Sequence, residues 1–155
     1  MSYYLATRKI IKEWTDYNEH MNMAYYVLIF DQAWETMLNK FQMGGSNAQI
    51  KKRSTMVVET RTTYDNEVKE NEDVDIYCTF FDHDKKRLHL KCEMYEKKTK
   101  KLAATMENLS LYINLDKRKV TEFEDDKIKI MDKFINENKQ NFKSDNLVLS
   151  GKLKK

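Results

Sequence analysis

The sequence predicts an α+β domain: a curved antiparallel sheet of about five strands around one long central helix, with a further helix toward the C-terminal end. Three observations lead there. One long segment of helical period begins apolar almost all round, so it belongs inside the fold. Four later segments run at period two, joined by short polar connectors. A single helix cannot fill both faces of such a sheet, so the sheet curls around it and meets a second copy across an edge.

Residues 3–14 read as the first strand, ending at Trp14. The stretch Thr15-Asp16-Tyr17-Asn18-Glu19-His20 breaks the apolar pattern and reads as a loop. From Asn22 the helical segment begins. Tyr26, Phe30, Ala33, Met37 and Phe41 recur at helical spacing, Val27, Trp34 and Leu38 widen the stripe, and Gly44-Gly45 stops it. Residues 46–53 read as a polar connector, and residues 54–68, rich in Thr, Val and Tyr, as a strand. Residues 73–81 set Val74, Ile76, Cys78 and Phe80 on one face; residues 87–96 set Leu88, Leu90, Cys92 and Met94 inward. Residues 102–115 put Leu109, Leu111, Ile113 and Leu115 in phase as the apolar face. Ile128, Met131, Ile135, Asn138 and Phe142 predict the C-terminal helix. That order describes a hotdog fold: one domain over residues 1–142, with a polar tail, 143–155, expected to be mobile.

Composition narrows the function classes. Hydrophobic residues at 41% and aromatics at 12% exclude a disordered chain despite 34% charge. The net charge of +3 is small and evenly spread, so neither nucleic acid nor a membrane surface is an expected partner. No run approaches the roughly 18 apolar residues of a membrane span, and the first residues lack a signal-peptide core. Cys78 and Cys92 have no metal-ligand spacing, so no metal site is expected, and they read as small hydrophobes of a cytoplasmic protein.

The segment from Trp14 to Tyr26, WTDYNEHMNMAYY, resembles the active-site signature of 4-hydroxybenzoyl-CoA-type thioesterases, Asp-x-x-Gly-His-x-Asn-Asn-x-x-Tyr. Asp16, His20, Asn22 and an aromatic at Tyr25 or Tyr26 fall in register; Glu19 replaces the family's glycine and Met23 its second asparagine. The stretches DYNEHMNMAYYVLIFDQAWETML, VVETRTTY and FDHDKKRLHLKCEMYEKKTKKLAATMENLSLYINLD look like the betainyl-CoA thioesterases of carnitine degradation. The resemblance implies an acyl-CoA hydrolase, homodimeric or tetrameric, with coenzyme A only as part of its substrate and no metal or redox cofactor. Short- or aromatic-acyl-CoA hydrolysis, or non-catalytic binding of an acyl-CoA or betaine, are the alternatives. A hotdog dehydratase wants a His–carboxylate pair across a dimer, and His83 and His89 lie on a distal hairpin.

A thioester is already activated, so its hydrolysis needs an oxygen nucleophile and a donor for the oxyanion. By resemblance Asp16 is the catalytic carboxylate, as nucleophile or general base; on spacing alone it reads equally well as a loop or capping aspartate. His20 either orients Asp16 or packs as a loop histidine. The backbone N–H of Asn22 or Met23, at the start of the helix, is the expected oxyanion donor. A betaine head is a quaternary ammonium, best held by aromatic faces and a negative charge. Trp14, Tyr17, Tyr25, Tyr26 and Trp34 cluster around the loop in sequence. Tyr26 and Trp34 read as core stripe, and Trp14 and Tyr17, with Tyr25, are the better cage candidates. Glu107 sits in phase with Leu109 and Leu111 and, like Glu59, is at a bulge, at the rim or turned into a pocket. Lys85, Lys86 and Arg87 form a basic hairpin that either meets coenzyme A phosphates or is simply solvated.

Overall fold

The computed structural model describes residues 2–155. Five long strands, β1 (Tyr3–Lys9), β2 (Arg53–Tyr64), β3 (Asp73–His83), β4 (Arg87–Glu96) and β5 (Leu102–Asn114), form one antiparallel sheet in the order β1-β3-β4-β5-β2. A two-residue strand, β6 (Lys119–Val120), pairs with the end of β5. The helices are α1 (Met23–Lys40), α2 (Gly45–Lys51) and α3 (Asp125–Asn138). The sheet curls around α1 in the predicted hotdog arrangement. Its curvature has a visible source: β1, β2 and β3 each carry a register shift, between Tyr4 and Ala6, Val57 and Glu59, and Cys78 and Phe80. An extra residue in one strand bends that strand and sharpens its twist.

α1 buries Tyr26, Ile29, Phe30, Ala33, Trp34, Met37 and Leu38, a stripe at the spacing of one helix face. The strands answer with Val74, Ile76, Cys78, Leu88, Leu90, Cys92 and Met94, all fully buried. α3 closes the end of the core, where the ring of Phe134 lies 5.5 Å from Phe41 and 5.9 Å from Phe81. Each large side chain removed from water contributes about 1.5–3 kcal/mol, so this packing and not helix propensity holds α1 in place. Cys78 and Cys92 face each other across β3 and β4 as free, buried thiols. Contact with Cys78, together with burial, pushes the Cys92 thiol well above its ordinary value, which suits inert packing.

The structure corrects several local expectations. One is Phe80, which the bulge after Cys78 turns to the outer face against His89 and Phe142, while Phe81 takes the core position. Residues 10–14 leave the sheet, and Lys12–Trp14 make one 3-10 turn. The connector over 46–53 is mostly α2, and α1 ends at Lys40, with Gln42 in the left-handed region at φ 59°. At Gly44 a Cβ would lie 1.8 Å from Asn39 Oδ1, so any larger residue makes the Asn39 side chain swing away. The first half of α1 is not buried all round: Val27 and Leu28 are exposed, as are Met56, Val57 and Val58 on the open edge strand β2. Finally, the two faces of β5 are exchanged. Leu88, Leu90 and Cys92 pair with Ser110, Asn108 and Met106, so these face α1 while Glu107, Leu109 and Leu111 face away.

The outward face of β5 is covered by the tail. Instead of being mobile, residues 142–155 lie back across the sheet. Lys143 N–H donates to Thr79 O, Leu149 is buried, and Lys154 N–H donates to Asp84 Oδ2 at 2.8 Å. Glu107 is the central anchor. It accepts the N–H groups of Val148 and Leu149, each at 2.8 Å, and His89 Nε2–H at 2.9 Å. Burial pushes the Glu107 carboxyl up, but these donors outweigh it and hold the group below its ordinary value. A folded carboxylate with a lowered pKa stabilises the protein above its unfolded value, near 4.3. That contribution is lost as pH falls through the lower folded value. Glu107→Gln should therefore destabilise the protein by about 1.5–3 kcal/mol. In hydrogen exchange at neutral pH the Val148 and Leu149 amides should lose protection in that variant, as they should in the wild type on acidification.

Candidate active site

The loop between β1 and α1 closes on itself. Thr15 bridges to Met21, Asn22 N–H donates to Trp14 O, and Met21 N–H donates to Val68 O. Within it Asp16 forms an Asx turn, its Oδ1 accepting Asn18 N–H at 2.8 Å, and its backbone oxygen accepts Glu19 N–H. Its Oδ2 accepts Asn22 Nδ2–H at 2.9 Å. The Asn22 amide also works in the other direction, Oδ1 accepting Ala24 N–H at 3.0 Å as the cap of α1. One side chain thus ties the carboxylate to the helix end. The bonds from Asn22 and Asn18, with the nearby His20, hold Asp16 below the ordinary carboxylate value, so it is ionised at neutral pH.

The opening turn of α1 supplies the positive end of a helix dipole. Asn22 N–H is spent on Trp14 O, which removes it from the two expected oxyanion donors. Ala24 N–H is spent on the cap and Tyr25 N–H on Asn22 O. Among the described residues the Met23 N–H has no acceptor, and it stands next to the residue that holds Asp16. His20 lies in the same loop, its Nδ1–H donated to Met21 O at 3.1 Å.

The remaining expected site residues divide. Trp14 and Tyr25 stack on one another, centroids 6.1 Å apart, and pack against the core. Tyr17 is 93% exposed, so the three do not form a cage. Glu107 belongs to the tail, on the sheet face opposite α1. Glu59 is on that outer face as well, with Lys152 Nζ 3.9 Å away. Lys85, Lys86 and Arg87 occupy the β3–β4 hairpin. Asp16 lies near the other end of β3, through the Met21–Val68 and Ile10–Glu72 bonds. Eleven residues of strand separate them, roughly 30 Å. Arg87 pairs with Asp84 at 3.1 Å, and the hairpin cannot share a bound molecule's near end with Asp16 in one protomer.

Two cavities adjoin α1. One, of about 250 Å³, opens at its N-terminal end between His20, Met21, Met23 and Tyr26 and the turn Tyr64-Asp65-Asn66-Glu67. The other, of about 590 Å³, runs between α1 and the open side of the sheet, walled by Val27, Leu28, Asp31, Trp34, Val57 and Asn108. The 64–67 turn escaped the sequence reading because the strand was carried through to residue 68. The residues bordering the helix end from β2 have no local signature; only the pairing of β2 with β5 brings them there.

Glu19 occupies the family glycine's position and adopts the conformation that favours glycine, φ 64°. A left-handed non-glycine residue costs about 1–2 kcal/mol, against a smaller entropic cost for glycine. Glu19→Gly should raise stability by roughly 0.5–1 kcal/mol, read as a higher urea midpoint with an unchanged slope.

Comparison with known proteins places these features. The family profile of the Thioesterase-like superfamily matches residues 11–134. A betainyl-CoA thioesterase of Pseudomonas aeruginosa is 29% identical over 126 residues, covering 80% of this chain and 79% of that one. Among solved structures, a Staphylococcus aureus protein in complex with CoA superposes with a TM-score of 0.81 at 21% identity, covering 96% of this chain and 91% of the other. A DHNA-CoA thioesterase of Staphylococcus aureus gives a TM-score of 0.78 at 16% identity, covering 87% and 92%. With a matched segment that takes in the Asp16 loop, α1 and the whole sheet from β2 to β5, the chain belongs to the thioesterase-like superfamily and is a hotdog-fold thioesterase.

Proposed function

We propose that the protein hydrolyses an acyl-CoA thioester, most specifically betainyl-CoA, to betaine and free coenzyme A. One observation carries the chemistry: an ionised carboxylate, Asp16, is fixed by Asn22 at the start of α1, beside the unspent N–H of Met23. The likeness to the Pseudomonas aeruginosa betainyl-CoA thioesterase supports the choice of acyl group, and carnitine breakdown is the corresponding setting. The Staphylococcus aureus relative in complex with CoA supports the coenzyme half.

In this reading the thioester carbonyl oxygen sits at Met23 N–H. An Asp16 oxygen either attacks the carbonyl carbon or takes a proton from a water that does. In the first route a tetrahedral adduct expels the coenzyme A thiolate, and water then hydrolyses the mixed anhydride. In the second, water adds directly and the thiolate leaves. Both consume one water and release one carboxylic acid and one thiol. The negative charge that develops on the carbonyl oxygen meets the N–H and the dipole of α1. His20 steadies the loop and, when protonated, adds positive field beside Asp16. The chemistry calls for no metal and no redox cofactor, and its proposed setting is the cytoplasm.

A second copy completes the assembly we propose, as a homodimer or a pair of dimers. β2 has one open edge, and Val57 and Val58 on it join Val27 and Leu28 of α1 as exposed apolar surface. Val58→Lys on that edge should shift the protein toward monomer in sedimentation, and an unchanged mass would remove β2 from the interface.

Asp16→Asn should fold normally and lose about 10²–10⁴-fold in turnover of betainyl-CoA, measured as thiol release. The lowered pKa of Asp16 puts the acid limb of the wild-type pH–rate profile below the ordinary aspartate value, near 3.9. Asn22→Ala removes the largest cause of that lowering, so the limb should move to higher pH. Loss of the helix cap should cost about 1 kcal/mol in the same variant.

A further inference from the structure

We propose that the small cavity at the N-terminal end of α1 is the acyl subsite, and that Tyr26, Tyr64 and Asp65 make it selective for a compact quaternary ammonium acyl group. The inference rests on the reading of Asp16 and Met23 as the reaction centre. It replaces the cage of Trp14 and Tyr17, which the fold does not assemble.

Position is the first support. Met23, with His20 and Met21 of the Asp16 loop, walls this cavity, so a carbonyl held at the Met23 N–H lies at its border, within reach of a short acyl substituent. A volume of about 250 Å³ is below the usual range of ligand pockets, and suits a small group. The walls give the second support. Tyr26 and Tyr64 meet edge to face, centroids 5.3 Å apart and planes at 85°, forming an aromatic corner. Tyr26 is buried and fixed in the helix, while Tyr64 is half exposed at the mouth. Such faces attract a cation that has no proton to donate, and an alkylated ammonium loses little hydration on entering.

Charge is the third. Asp65 lies at the rim, with the Thr63 hydroxyl donating to its Oδ2 at 3.0 Å. Glu67 adds a second carboxylate but is shared with exposed Lys69 at 3.7 Å, so we assign Asp65 the larger part. The turn is held before any ligand arrives. Asp65 and Asn66 donate their N–H groups to Ala103 O, and Asn66 Nδ2–H donates to Leu102 O at 2.7 Å. A carboxylate at a fixed rim position offers its field without an ordering cost.

The test compares kcat/KM for betainyl-CoA with that for its neutral isostere, tert-butylacetyl-CoA, in which carbon replaces the ammonium nitrogen. Wild-type protein should favour the cation. Tyr64→Leu should lower the cation-to-neutral ratio by about tenfold. Tyr64→Phe, which keeps the ring, should preserve it, and Asp65→Asn should lower it severalfold. A ratio is insensitive to partial unfolding, because a loss of active protein scales both substrates alike. If wild type prefers the cation while Tyr64→Leu and Asp65→Asn leave the ratio unchanged, the subsite is wrong and betainyl-CoA remains the substrate. If wild type shows no preference for the cation, the betainyl reading and the subsite both fail, and Asp16→Asn then tests the hydrolase chemistry separately.

Discussion

The loop before α1 and the start of that helix depend on the two bonds made by one amide side chain. Asn22 caps α1 through its oxygen and holds Asp16 through its nitrogen. The same side chain therefore couples the start of the helix to the position of the carboxylate. Its own backbone N–H goes to Trp14, which closes the loop and leaves the next N–H, that of Met23, unspent. A charge, a dipole and a free donor are brought together by ordinary helix-capping chemistry. The carboxylate does not have to be buried to achieve this. The lowered pKa of Asp16 comes from donated hydrogen bonds, so the group stays ionised and reachable.

What was legible in the sequence followed the strength of its local signals. The period of α1, from Tyr26 to Leu38, is dictated by packing against a sheet on one side, and it appears directly in the residue order. The Asp16–His20–Asn22 spacing was legible only through its family resemblance, since by itself it fits any capping loop. The loop does close, with Glu19 in the left-handed conformation at some cost. β5 was misread for a physical reason. Its face toward α1 carries Asn108 and Ser110 where it lines the large cavity, while its outer leucines are covered by the tail. Alternation reports which face is apolar, and it cannot report that a remote tail covers the other side. The same blindness hid the 64–67 turn, whose relation to α1 exists only through strand pairing.

The block from Phe81 to His89 illustrates how a family-like stretch can serve the scaffold. His83 Nε2 meets Asp132 of α3 at 2.6 Å. Asp84 accepts the N–H groups of Lys86 and Arg87, which form the hairpin turn, and that of Lys154 from the tail. His89 bonds to Glu107, which in turn binds the tail's backbone. These polar residues, spread over one hairpin, join α3, β5 and the C-terminal segment. Their position roughly 30 Å from Asp16 explains why they lend no phosphate site to the reaction in one protomer.

The division of labour between the two cavities follows from the same geometry. A substrate anchored at Met23 N–H has its acyl carbon fixed near the helix end, so the space within two bonds of that carbon must decide acyl identity. Only the smaller cavity has Met23 in its wall. The larger one begins at Ala24 and follows α1 past Asp31 and Trp34 to Leu38, roughly 21 Å of helix at 1.5 Å per residue. A group as short as betaine cannot extend along that length. The larger cavity also borders the open edge of β2, where Val57 is exposed. A second copy pairing at that edge, as proposed above, would wall the larger cavity, whereas the small cavity is walled by the Asp16 loop, the helix end and the segment from Tyr64 to Glu67.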